Sequence, residues 1–147
     1  MMNIQNLSER VKEYISLRHE GENWDFKRQW YDNDDRGKAD LLHNIICMAN
    51  TIEDEDGLII IDGKMMDVVI VKNSTNVPFY LNERCKKIEA YHIYTRVGDS
   101  NIPVDKSADR DRIEALWKKR FGIGKDALQK FRIYLKDVNG WESIDGQ

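Results

Sequence analysis

The run Leu58-Ile59-Ile60-Ile61, entered from Gly57 and left at Asp62-Gly63, holds four consecutive apolar residues. A half-exposed strand alternates apolar with polar, so an unbroken run of this length suits an interior strand of a sheet. Just upstream, KADLLHNIICMANT carries Leu41, Leu42, Ile45, Ile46, Met48 and Ala49, apolar over more than one helical face. This spacing predicts a buried helix. A chain with both must build layers around them.

The flanking segments supply those layers. LSERVKEYISL places Leu7, Val11, Tyr14 and Ile15 at helical spacing behind a candidate N-cap, Ser8. After Gly21, NWDFKRQWY alternates Trp24, Phe26, Arg28 and Trp30 with Asp25, Lys27 and Gln29, the period of a strand with one greasy and one charged face. MMDVVIVK reads as a strand after the apolar run, and AYHIYTRV as another ending at Gly98; Pro78 marks NSTNVPFYL as a loop. From Asp105 a helix is predicted with Ile113, Leu116 and Trp117 on one face, and ALQKFRIYLKD repeats helical spacing through Leu128, Phe131 and Leu135 before the tail GWESIDGQ. Trp24, Trp30 and Trp117 are expected in the core. The order is α/β or α+β, with a small mixed β-sheet flanked by helices.

At 147 residues the chain is long enough for one domain with a core, and 41% apolar against 33% charged residues excludes bulk disorder. No apolar run approaches the ~20 residues of a membrane span, and MMNIQNLSERVKEY lacks the basic start and greasy middle of a signal peptide, so the expected location is cytoplasmic. The two cysteines, Cys47 and Cys85, share no zinc spacing; Cys47 is expected in the core and Cys85 at the surface. His19, His43 and His92 have no metal spacing and no adjacent Ser or Cys nucleophile, and no GxxxxGK[ST] motif is present, which argues against triad hydrolysis and a P-loop ATPase. The net charge of -3 divides unevenly, -6 over residues 1–75 (9 basic, 15 acidic) and +3 over 76–147 (14 basic, 11 acidic). That bias permits a polyanionic partner without demanding one.

Three separated stretches together resemble one family, the Schlafen AlbA-type domain of many bacterial regulator proteins and of the vertebrate Schlafen proteins. The first is Glu20-Gly-Glu-Asn-Trp-Asp25-Phe26-Lys27, similar to an acidic residue, four spacers and Glu-Phe-Lys, with Asp25 in place of the second Glu. The second is Ala49-Asn50-Thr51 followed by Asp56-Gly57 and the apolar strand, similar to a helix ending in Ala-Asn-Thr, a Gly-Gly turn and a strand. The third is Pro78-Phe-Tyr-Leu81 with Tyr94-Thr-Arg96-Val97-Gly98-Asp-Ser100-Asn101, similar to Pro-Tyr-Tyr-Leu and Tyr-Val-Arg-Val-Gly-Ser-Ser. The resemblance spans residues 20 to about 117 and implies an AlbA-like domain over 1–121 with a C-terminal helical extension over 122–147. It has one large hole. Family members continue the apolar strand into Gly-Val, an acid and several dozen further residues, whereas Ile61 here meets Asp62-Gly63-Lys64 at once. A segment missing near residues 61–63 is expected, because losing that much of a sheet should expose core; a two-residue Asp62-Gly63 hairpin is the rival.

The resemblance implies nucleic-acid binding, DNA or RNA, in a regulator or defence protein. Lys27, Arg28, Arg96 and Ser100 are the expected contacts, since Lys and Arg on phosphates supply most nonspecific affinity. The Val97–Asn101 turn could present N–H groups to a phosphate; a plain turn is the alternative. Salt bridges within the protein are the alternative for the basic residues. Schlafen nucleases hold a divalent metal with an acidic trio, which implies Glu20 and Asp25 as catalytic, metal-binding carboxylates, Asp62 as the nearest stand-in for the third, and Mg²⁺ or Mn²⁺ as cofactor. The alternative is that Glu20 and Asp25 are ordinary polar residues, Asp25 paired with a nearby Lys or Arg. A third reading makes the C-terminal helices a docking surface for a partner or a second copy, a homodimer. Asn50 is expected to bond the backbone after its helix.

Overall fold

A computed structural model describes residues 4–137; the tail GWESIDGQ and the first three residues lie outside the described residues. Four helices and two small sheets follow in the order α1 (Ile4–Leu17), β1 (Trp24–Lys27), α2 (Asp35–Ala49), β2 (Gly57–Asp62), β3 (Met66–Val71), β4 (Arg96–Val97), β5 (Ser100–Asn101), α3 (Arg110–Phe121) and α4 (Ala127–Asp137). The result is a small α+β fold. The main sheet is mixed, ordered β1-β2-β3, with β1 parallel and β3 antiparallel to the central β2.

The apolar run forms that central strand, and Leu58, Ile59, Ile60 and Ile61 are all fully buried. Alternation sends them to two cores. Leu58 and Ile60 pack with Val11 and Tyr14 of α1 and with Trp24, Phe26, Val68 and Ile70. Ile59 and Ile61 pack with Met48, Ile45 and Ala49 of α2 and with Val69 and Val71. The far side of α2, through Ala39, Ile46 and Cys47, is covered by Ile88, Tyr94, Leu81, Ile102 and Val104. This explains why the helix is apolar over more than one face: it lies between the sheet and a layer of mostly irregular chain.

The boundaries differ from expectation in instructive places. Helix α1 begins at Ile4, so Ser8 lies inside it rather than at its cap. Strand β1 stops at Lys27, and of AYHIYTRV only Arg96–Val97 pairs as a strand. Asp34 caps α2, accepting from the Gly37 N–H at 2.7 Å, and a side chain at Gly37 would collide with the backbone carbonyl of Asp32. Helix α3 begins at Arg110 behind the cap Asp109.

No segment is missing at residues 61–63. Strand β2 turns directly into β3, with Asp62 opposite Met66 across Gly63, Lys64 and Met65. The connection is a hairpin one residue longer than the two-residue turn. The argument from exposed core fails because Val68 and Ile70 extend one core layer, and Val69 and Val71 the other. Two of the expected core tryptophans are also at the surface. Trp24 stacks on Tyr14 at 4.2 Å, but Trp30 is 48% and Trp117 38% exposed.

Candidate functional site

The charged face of β1 is the origin of the site. Alternation puts Trp24 and Phe26 toward α1, so Asp25 and Lys27 must face the α2 side, beside Ile59 and Ile61. Asp25 is buried there. Asn44 lies four residues before Met48, on the same stripe of α2, and its Nδ2 donates to Asp25 Oδ2 at 2.8 Å. Lys27 Nζ meets the same oxygen at 2.8 Å, and Asn44 Nδ2 also donates to the Tyr31 hydroxyl at 2.6 Å.

Glu20 joins from the segment before β1. That segment folds back, with Gly21 N–H donating to Trp24 O at 3.1 Å and the Trp24 indole donating to His19 O at 2.9 Å. Glu20 Oε1 accepts from the Phe26 N–H at 3.2 Å, which sets its carboxyl beside that of Asp25. Two neighbouring carboxyls cannot both ionise freely. Burial, then the neighbouring Asp25, raises the pKa of Glu20 above its ordinary value. Burial also pushes Asp25 upward, but its neighbours Glu20, Lys27 and Asn44 outweigh it and hold that carboxyl below its ordinary value. For Lys27, burial favours the neutral amine, and the Asp25 carboxylate overcomes it to keep the ammonium charged. The arrangement is a pair of neighbouring carboxyls, one raised and one lowered in pKa, beside a cation.

Arg96 requires correction. Its side chain turns inward, with Nε on Gly21 O at 3.0 Å, Nη1 on Asn101 Oδ1 at 2.8 Å, and Nη2 on Trp24 O at 3.4 Å and on Asp99 O. Only 4% of the residue is exposed, so its guanidinium clamps the turn before β1 to the β4–β5 hairpin and is closed to a phosphate. Lys27 follows its alternative reading, the salt bridge to Asp25, while keeping 35% of its side chain exposed. Arg28 is exposed just past β1, with no ion pair among the described residues. Ser100 is exposed on the hairpin, its hydroxyl donating to Asp99 Oδ1 at 2.9 Å, and the Gly98-Asp99 turn closes with Gly98 at φ 63°.

Asp62 also requires correction. It follows Leu58 and Ile60 in strand alternation, toward the α1 side, whereas Asp25 faces α2. Among the described residues no three His, Cys, Asp or Glu side chains come together to hold a metal ion, so the implied trio does not form. Cys47 is buried, which pushes its thiol up to about 12, and Asn50 bonds the backbone as expected, donating to Phe79 O and Tyr94 O and accepting from Phe79 N–H. Sequence reasoning missed Asn44 and Tyr31, and named Asn101 only as the end of the Val97–Asn101 turn. The available signal was Asn44 itself, a single amide inside the apolar run LLHNIICM.

Among the described residues no helix is long and apolar enough to cross a membrane. Compared with protein-family models, with curated proteins and with solved structures, the chain finds no match in any of the three.

Proposed function

We propose that this chain is a cytoplasmic nucleic-acid-binding module, for DNA or RNA, of the Schlafen AlbA type its motifs resemble, serving a regulator or defence protein. The observation that supports it most is the pair of adjacent cations at the end of edge strand β1: Lys27, kept charged and partly open, and Arg28, exposed and unpaired among the described residues. Such cations bind the phosphate backbone without regard to sequence and release counterions as they do. In gel shifts, both DNA and RNA should bind at low salt and weaken steeply with added salt. Arg28→Ala should lower affinity evenly across sequences and reduce the salt slope by about 1. No shift of either nucleic acid at low salt defeats the reading.

The convergence of Glu20 with Asp25 favours a second reading, a divalent-metal-dependent endoribonuclease. Mg²⁺ is commonly held by one or two carboxylates together with substrate phosphates, so a pair is compatible where a trio is absent. The same RNA incubated with Mn²⁺ or Mg²⁺ would then be cut by the wild type and left intact by Glu20→Gln. Intact RNA in both leaves a binding module only. A second copy of this chain is the proposed cover for α4, whose Leu128 and Phe131 are each 57% exposed.

A further inference from the structure

Helix α3 is held from one side. Leu116 is fully buried, and Lys119 Nζ donates to Thr51 O at 2.9 Å, Glu53 O at 2.7 Å and Asn73 Oδ1 at 2.6 Å. One turn before Leu116, Arg112 Nη2 donates to Arg96 O at 3.0 Å. With positions 112, 116 and 119 turned inward, the helical period carries positions 117 and 121 to the outer side. Two large aromatic residues stand there, Trp117 at 38% and Phe121 at 63% exposed. Their rings lie 13° from parallel with centroids 5.8 Å apart. Arg120 Cζ sits over the Trp117 ring, also at 5.8 Å. The helix end that carries them is fixed, because Gly122 takes φ 61° and the Ile123 N–H closes on Lys118 O at 2.9 Å.

We propose that the Trp117–Phe121 stack, flanked by Arg120, is a base-stacking site for single-stranded nucleic acid. This rests on the nucleic-acid reading above and narrows it to unpaired strands. Every base has a π face, and an exposed aromatic ring takes that face without regard to sequence. In a duplex the faces are already stacked on one another, so a site of this kind selects strands whose bases are free. The charge around the stack suits a phosphate. Helix α3 carries five basic and two acidic residues, a surplus equal to the whole +3 of residues 76–147. Of those on its exposed surface, Arg110 pairs with Asp111 and Lys118 with Glu114, while Arg120 makes no ion pair among the described residues. One cation beside one aromatic stack matches the phosphate and base of a nucleotide, whereas a second copy of the same face would bring a like charge.

The test is a set of gel shifts at low salt with the full chain as wild type, Phe121→Leu and Phe121→Trp. The probes are oligonucleotides of one sequence, DNA and RNA, each as a single strand and as a duplex. Leucine keeps the helix and an apolar surface and removes only the π face. Phe121→Leu should lower single-strand affinity roughly tenfold, the worth of one base–aromatic stack, and leave duplex affinity in place. Phe121→Trp should recover the single-strand affinity. An unchanged single-strand affinity in Phe121→Leu overturns the proposal, and it is the result expected if a second copy covers this face. An equal loss on single strands and duplexes, or no recovery in Phe121→Trp, overturns it as well. A wild type that binds duplexes alone removes this site and leaves the nucleic-acid reading standing. A wild type that shifts no probe removes both.

Discussion

Arg96 shows how one residue type supports opposite roles. A basic residue in a Tyr-Thr-Arg-Val-Gly stretch reads as a phosphate contact, yet its four hydrogen bonds all run into the protein. The structural role has its own measurable consequence. Arg96→Ala takes the guanidinium donor from the Gly21 carbonyl and the Asn101 amide oxygen, at about 1–3 kcal/mol for a buried group left unpaired, while the Trp24 carbonyl keeps the Gly21 N–H. Arg96→Lys should recover little of this, because one ammonium cannot span a planar fork's directions. Urea unfolding midpoints should therefore fall clearly in both variants. A phosphate-contact role would instead leave the midpoints in place and weaken only binding.

Helix α4 contributes no residue to the three core clusters among the described residues. Its apolar stripe was legible as helical spacing, and the helix forms where that spacing puts it. Two residues of the stripe, Leu128 and Phe131, are exposed, as are Phe121 and Ile123 before them, while Leu135 is half-buried. Exposed apolar surface of this kind favours association. Light scattering should give a dimer that Phe131→Glu converts to a monomer. A monomeric wild type across the accessible concentrations would refute the second copy as its cover. The opposite case is β2, legible as an interior strand from its four apolar residues alone and enclosed between α1 and α2.

For the whole molecule, the acid pair writes itself into stability as a function of pH. Glu20 has its folded pKa above the ordinary 4.5, so its contribution is fully present below that value and lost as pH rises through the folded one. Asp25 has its folded pKa below the ordinary 3.8, so its contribution is present above that value and lost as pH falls through the folded one. Glu20→Gln keeps a neutral hydrogen-bonding group beside Asp25 and removes the ionisation. Thermal melts should show the variant gaining on the wild type as pH rises from 4.5 toward neutrality. A stability difference that stays flat over that range would show that folding does not raise the pKa of Glu20.

What the sequence determined by itself was periodic. Four apolar residues in a row required an interior strand, the two-faced apolar pattern of Leu41 to Ala49 required a helix covered on both sides, and alternation in Trp24 to Lys27 separated a greasy face from a charged one. These follow from local geometry, which repeats every 2 or 3.6 residues. The tertiary structure alone decided what each charged group meets. Asp25 and Glu20 converge because the segment after α1 folds back along β1, and Asp62 is excluded because strand parity sends it to the other side of the sheet. Arg96 is buried because hairpin β4–β5 packs over Gly21 and Trp24, more than seventy residues away along the chain. Contacts at such separations carry no period in the sequence. The local pattern therefore shows that a charge is present, and only packing shows whether it faces solvent, a carbonyl or another charge.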